Sequence, residues 1–169
     1  MKKAILLVWV VLVNTLLFAQ TPAEIISDIR SEFAIINANV SSYKIIEKEL
    51  IDFSTEGGNV KGYYENGVMR LMVAEVYGET GQYTDSYYYK NGVLFFVFSK
   101  NTIYSAPVYL EGSEIVSIEE NRYYFNNNTM IQWINPDKQK IALTNPKFSE
   151  TAQQVLTEGD KLKSIVESK

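Results

Sequence analysis

The chain contains neither cysteine nor histidine, and these two absences exclude much chemistry. Without imidazole there is no side chain that ordinarily titrates near neutral pH and no commonest metal ligand. Without a thiol there is no sulfur nucleophile, disulfide, thiolate zinc site or lipid-anchoring N-terminal cysteine. No catalytic or metal-ligating residue is assigned on this basis, and no cofactor is expected. Positive charge is also in short supply: 16 Lys and Arg stand against 20 Asp and Glu, a formal net charge of −4. Neutralising phosphates takes a basic patch, so no nucleic-acid partner is expected. The remaining exclusions are of motifs. There is no Ser-x-x-Lys, Gly-x-Ser-x-Gly, phosphate-binding glycine loop or calcium loop. Asn135-Pro136-Asp137 is a turn without the further spaced acids that calcium requires.

The one long apolar run lies at the N-terminus. Lys2 and Lys3 precede Ala4 to Val13, Asn14 and Thr15 interrupt, and Leu16, Leu17, Phe18 and Ala19 follow. A basic start, a short apolar segment and a small residue before Gln20 describe a secretory signal peptide. The run is shorter than the roughly 20 residues of a spanning helix. Cleavage after Ala19 is expected, although Leu17 is larger than the residue preferred at that place. Residues 1–19 hold two of the basic residues and none of the acidic ones, so the remainder has 14 against 20, a formal charge of −6. The expectation is a periplasmic or secreted protein with no membrane span after cleavage, stable without disulfides.

Residues 20–169 suit a single domain. Thr21, Pro22 and Glu24 combine an N-cap, a proline at the first helical position and a capping-box acid. Ile25, Ile26, Ile29, Phe33 and Ile36 continue at helical spacing to about Asn39. Asn145-Pro146 opens a second helix, with Phe148, Ala152, Val155, Leu156, Gly159, Leu162, Ile165 and Val166 on one face. Between the helices the period changes to two. Strands are predicted over 43–53, 60–64, 68–77, 82–90, 93–99, 115–125 and 130–134, joined by turns too short for parallel crossovers. The fold class is therefore α+β: an antiparallel meander of six to seven strands flanked by an N-terminal and a C-terminal helix, with both helices expected on one face.

Three segments align. Tyr63-Tyr64-Glu65-Asn66-Gly67-Val68-Met69, Tyr88-Tyr89-Lys90-Asn91-Gly92-Val93-Leu94 and Tyr124-Phe125-Asn126-Asn127-Asn128-Thr129-Met130 each set Asn-Gly or Asn-Asn between strand-like runs. Two such residues tolerate the positive φ of a type I′ hairpin. A tyrosine beside such a turn is ordinarily a cross-strand packing residue.

The acids form no evident pair. Glu119 and Glu120 are adjacent and point to opposite faces of a strand, Glu75 and Glu79 lie around Tyr77-Gly78, and Glu111 and Glu114 flank Gly112. The unusual feature is aromatic: most of the 12 Tyr and 8 Phe fall between residues 63 and 125. With the helices on one face, alternate aromatics would line the other, where tyrosine offers a ring and a hydroxyl. Leu94 to Phe98 is apolar at every position, which implies cover on both faces. Arg70 and Arg122 stand in otherwise uncharged stretches, placed to stack on tyrosines or to pair with Glu75, Glu119 or Glu120. The residues chosen for a binding face are Tyr87, Tyr89, Arg122 and Trp133.

The Tyr-Tyr-x-Asn-Gly units, Glu120-Asn121-Arg122-Tyr123-Tyr124-Phe125 and Met130-Ile131-Gln132-Trp133-Ile134 resemble a group of uncharacterised exported proteins from Bacteroidota-type bacteria. The Leu-Phe-Ala-Gln ending of the leader is similar to signal peptides found there. The Tyr-x-Asn-Gly hairpins also resemble the hairpin repeats of MORN-type proteins, although the Tyr63 to Tyr88 and Tyr88 to Tyr124 intervals are unequal. No activity is implied by either resemblance.

The functional expectation is an exported, non-enzymatic domain that binds a protein or small-molecule ligand of the cell envelope through its aromatic sheet face or its loops. One version is a hydrolase inhibitor, whose acidity would suit a basic target. The alternatives are a carboxylate-dependent glycan hydrolase, which needs two acids converging in a cleft, and a structural envelope protein without a ligand pocket.

Overall fold

In the computed structural model, which describes residues 20–168, the local signals at both helix starts are met. The expected leader lies outside the described residues. Helix α1 (Pro22–Asn39) begins with a complete capping box: the Glu24 amide donates to Thr21 Oγ1 and the Thr21 amide donates to Glu24 Oε2 at 2.8 Å. Helix α2 (Pro146–Glu167) starts behind Asn145, whose Oδ1 accepts from the Lys147 amide at 2.9 Å. Both caps satisfy amides that the first helical turn leaves without partners.

Seven strands follow one another between the helices: β1 (Lys44–Glu49), β2 (Gly58–Glu65), β3 (Val68–Gly78), β4 (Gly81–Lys90), β5 (Val93–Tyr104), β6 (Ile115–Asn126) and β7 (Thr129–Ile134). They form a single antiparallel sheet in the order β1-β2-β3-β4-β5-β6-β7. Strand β1 stops at Glu49, short of the predicted Phe53, because Asp52 takes φ of 64° and turns the chain. Strand β5 runs past the predicted Ser99 to Tyr104, and the loop after it is correspondingly shorter.

The repeat is a structural device. Asn66-Gly67, Asn91-Gly92 and Asn127-Asn128 all have positive φ at both positions, as a type I′ turn requires. Each hairpin then carries a register shift at the same place, between Tyr63 and Tyr64, Tyr88 and Tyr89, and Tyr124 and Phe125. The extra residues on the facing strands are Arg70, Phe95 and Ile131. Successive strand residues point to opposite faces, so each Tyr-Tyr or Tyr-Phe pair sends one ring to each side of the sheet. Tyr63, Tyr88 and Tyr124 join one hydrophobic cluster, and Tyr64, Tyr89 and Phe125 join the other.

This corrects the expected layering. The helices do not share a face: Ile29 and Ile36 of α1 pack with Tyr88, Phe95, Phe96 and Tyr124, whereas Phe148, Leu162 and Val166 of α2 pack with Tyr87, Val97, Tyr123 and Phe125. A sheet with two apolar faces must bury both, and here each takes one helix. The continuous apolar run of β5 is the sequence counterpart of that double cover.

Helix α2 crosses the strands. It contacts β7, Gly159 lies on the ring of Tyr87 in β4, and Val166 reaches Gly62 in β2. At about 1.5 Å per residue a helix of this length is roughly 33 Å long, enough to cross seven strands spaced by about 4.8 Å. Helix α1 covers less. Phe33 meets Tyr88 and Phe96 at ring-centroid separations of 4.9 and 5.3 Å, and the rows of that face through Glu75, Thr84 and Lys100 extend beyond the helix. At the sheet borders, β1 carries Lys44, Glu47, Lys48 and Glu49, charges that discourage edge pairing. Strand β7 is flanked by Lys140 and Ile141, the latter donating its amide to the Trp133 carbonyl at 2.9 Å. Among the described residues no helix is long and apolar enough to cross a membrane.

Candidate functional site

Where α1 ends its cover, a cavity of about 300 Å³ opens between the helix and the sheet. Helix α1 contributes Ile29, Arg30 and Phe33, β5 contributes Phe96 and Phe98, and β6 contributes Arg122 and Tyr124. The register explains the convergence. Phe96 pairs with Tyr124 and Phe98 with Arg122, so alternate residues of two neighbouring strands form a four-residue floor, and the helical spacing of Ile29 and Phe33 supplies the wall. Phe96 and Tyr124 have ring centroids 5.0 Å apart, and the Arg122 guanidinium lies over the Phe98 ring at 5.0 Å. Arg122 Nη2 also donates to Glu120 Oε2 at 2.6 Å, one of the three acids named for it from the sequence. Arg30 is exposed and makes no ion pair among the described residues.

The four residues chosen from sequence do not come together. Tyr87 and Tyr89 are 2% and 5% exposed, beneath α2. Trp133 lies on that same face, its ring 5.9 Å from Tyr123 and its Nε1 donating to Asn121 Oδ1 at 2.9 Å. Arg122 is on the opposite face, and of the four it alone lines the cavity against α1. The aromatic face that carries Tyr87 and Tyr89 is covered by α2 along its middle. Arg70 departs from expectation as well. As the extra residue of its hairpin it reaches across to Glu32 of α1 and to Glu65, and Lys90 joins Glu32 at 2.8 Å. This network holds α1 against the sheet, and none of the three acids named for Arg70 takes part in it.

Sequence reasoning missed Arg30, Phe33, Phe96 and Phe98 as site residues. The alternation of β5 and β6 places Phe96, Phe98, Arg122 and Tyr124 on one face. Only the position of α1, more than fifty residues away in sequence, turns that face into a pocket.

A second cavity, of about 290 Å³, lies under α2 and is lined by Asp85, Ser99 and Tyr123 from the sheet and by Gln154 and Glu158 from the helix, among others. The Asp85-Ser99-Asn121 row is polar because each residue pairs directly across the ladder. Asp85 Oδ1 is buried without a hydrogen-bond partner. Burial pushes its carboxyl above the usual carboxylate range, a Ser99 hydrogen bond opposes this, and the facing Glu158 adds to it. The Tyr123 hydroxyl is pushed up to about 12, first by burial and then by Asp85. Among the described residues no three acidic side chains come together as a metal cage.

The sign of the Asp85 effect fixes a pH dependence. A carboxyl whose folded pKa is raised binds its proton more tightly in the folded state, so folding loses stability as pH rises from the unfolded value through the folded one. Asp85→Asn is expected to be more stable than the parent at pH 8, with the difference shrinking towards pH 3. Denaturant titration at the two pH values checks it; an equal difference at both would show that Asp85 ionises freely.

No known family model, no curated protein and no solved structure matches the chain.

Proposed function

We propose that this chain is an exported, non-enzymatic binding domain whose ligand enters the pocket between α1 and strands β5 and β6. The observation that supports this reading is the pocket itself: an open cavity of about 300 Å³ walled by Phe33, Phe96, Phe98 and Tyr124. Small-molecule sites are concave, largely apolar, pre-formed and furnished with a few polar groups, and this volume is at the lower end of their range. The rings sit on two strands and a capped helix, so ordering costs little on binding.

Native mass spectrometry of the protein purified gently from its host envelope tests the reading. A small-molecule mass, one per chain, is expected, and Ile29→Trp, which fills the pocket from α1, is expected to abolish it. A protein-sized mass would shift the reading to a partner, of which a hydrolase inhibited by this chain is one kind. A bare chain in both proteins would speak against a retained ligand.

One observation favours a second reading. Asp85 and Glu158, 73 positions apart, line the same cavity, and a carboxylate-dependent glycan hydrolase requires such a convergence. Activity on cell-wall glycan that is lost in both Asp85→Asn and Glu158→Gln would establish it; activity unaffected by either would remove it.

A further inference from the structure

We infer that the occupant of the α1 pocket is an amphipathic organic anion, with an aromatic or branched apolar body among the rings and a carboxylate, sulfonate or phosphate between Arg30 and Arg122. The inference rests on the binding function proposed above and adds the chemical class of the ligand.

Among the described residues, the polar side chains lining the cavity are the two guanidinium groups and the Tyr124 hydroxyl, and no carboxylate lines it. In a chain with more acidic than basic residues, this is a local reversal of charge. The acids of α1 nearest the cavity in sequence are engaged elsewhere: Asp28 accepts from Gln20, and Glu32 binds Arg70 and Lys90. Glu120 occupies Nη2 of Arg122, and a guanidinium has five donors in a planar fork, so donors remain that have no partner among the described residues and can take an incoming anion. The guanidinium lies over the Phe98 ring at 5.0 Å, which holds its position at the pocket floor. Arg30 projects from the wall formed by Ile29 and Phe33 with no ion pair among the described residues. A ligand with an apolar body alone would leave Arg30 without an ion pair among the described residues and Arg122 with Glu120 as its one carboxylate. A ligand cation would meet two like charges beside low-dielectric walls, where repulsion exceeds its value in water.

Three probes of one shape separate the possibilities: naphthalene-2-carboxylate, naphthalene-2-methanol and 2-naphthylmethylamine, titrated calorimetrically into the purified protein. The carboxylate is expected to bind at least about tenfold more tightly than the alcohol, as a charge-assisted hydrogen bond implies, and the amine more weakly than either. Arg30→Gln and Arg122→Gln should each remove most of that preference, weakening the carboxylate more than the alcohol. Arg122→Lys, which keeps the charge and loses the fork, should fall between. Thermal midpoints of the variants within a few degrees of the parent establish that they fold. Equal binding of carboxylate and alcohol by the parent, or a preference that survives both glutamine substitutions, would overturn the inference and leave the binding function standing. Binding of none of the three would count against both.

Discussion

Tyr87→Ala is expected to destabilise the protein by about 3–5 kcal/mol, the range for truncating a fully buried aromatic side chain. Tyr87 is among the largest fully buried side chains. It occupies the middle of a row running Ile46, Gly62, Met72, Tyr87, Val97, Tyr123 and Trp133 across the sheet, and α2 lies directly on its ring. Its hydroxyl is held protonated well beyond the usual tyrosine range, first by burial and then by the nearby Asp85 and Glu158 carboxyls. Tyr87→Phe keeps the ring and is expected to stay within about 1 kcal/mol of the parent. Denaturant unfolding of the three proteins decides the matter. If Tyr87 acted as an exposed ligand contact, alanine would lower binding and leave stability unchanged.

Gly159 gives the second large effect, with a sign opposite to helix propensity. In an exposed helix interior, replacing glycine by alanine gains about 1 kcal/mol. Here an added Cβ would lie 2.9 Å from Cε1 and 3.1 Å from Cδ1 of Tyr87, so the buried ring or the helix must shift to admit it. Gly159→Ala is therefore expected to cost about 1–3 kcal/mol, and Gly159→Leu more. In the Tyr87→Ala background the space beneath residue 159 is empty. Gly159→Leu should then fill it and raise stability, so a double-mutant cycle gives a large coupling in which the two losses compensate. Additive losses would show that Gly159 and Tyr87 do not meet. A contact of the same kind occurs at Gly62, where a Cβ would lie 2.7 Å from Val166 Cγ1.

Both results bear on how much of the molecule the sequence discloses. The antiparallel hairpins were legible because the turns are local: Asn66-Gly67, Asn91-Gly92 and Asn127-Asn128 each join neighbouring strands, whereas the order of all seven strands across the sheet comes from the structure. The helix limits were legible because Thr21, Glu24, Asn145 and Pro146 carry their own capping chemistry. The side of the sheet taken by each helix was not, since an apolar stripe shows that a helix packs and leaves open against which face. A cue was present in the paired aromatics. Tyr87, Tyr88 and Tyr89 are consecutive, so two rings point to one face and one to the other, and all three are buried. Counted this way, the sheet has two apolar faces and needs two covers.

The site was legible only at Arg122. A lone arginine among aromatics signals a place where charge meets rings. Its neighbours in space, Arg30 and Phe33, belong to a helix whose register against the sheet is fixed by Arg70, Glu32 and Lys90, a network no local pattern announces. Asp85 and Glu158 were out of reach for the same reason: the sequence search for paired acids covered neighbouring residues, and this pair forms only when α2 lies back across the sheet.

The most direct test of the central claim is a two-dimensional amide NMR titration of the protein with naphthalene-2-carboxylate. With the ligand in the α1 pocket, the largest shifts are expected at Ile29 to Phe33, Phe96 to Phe98 and Arg122 to Tyr124, saturating together. Saturating shifts at Asp85 and Glu158, or at the exposed Ile115, Val116 and Ile118, with the α1 pocket unmoved, would contradict it.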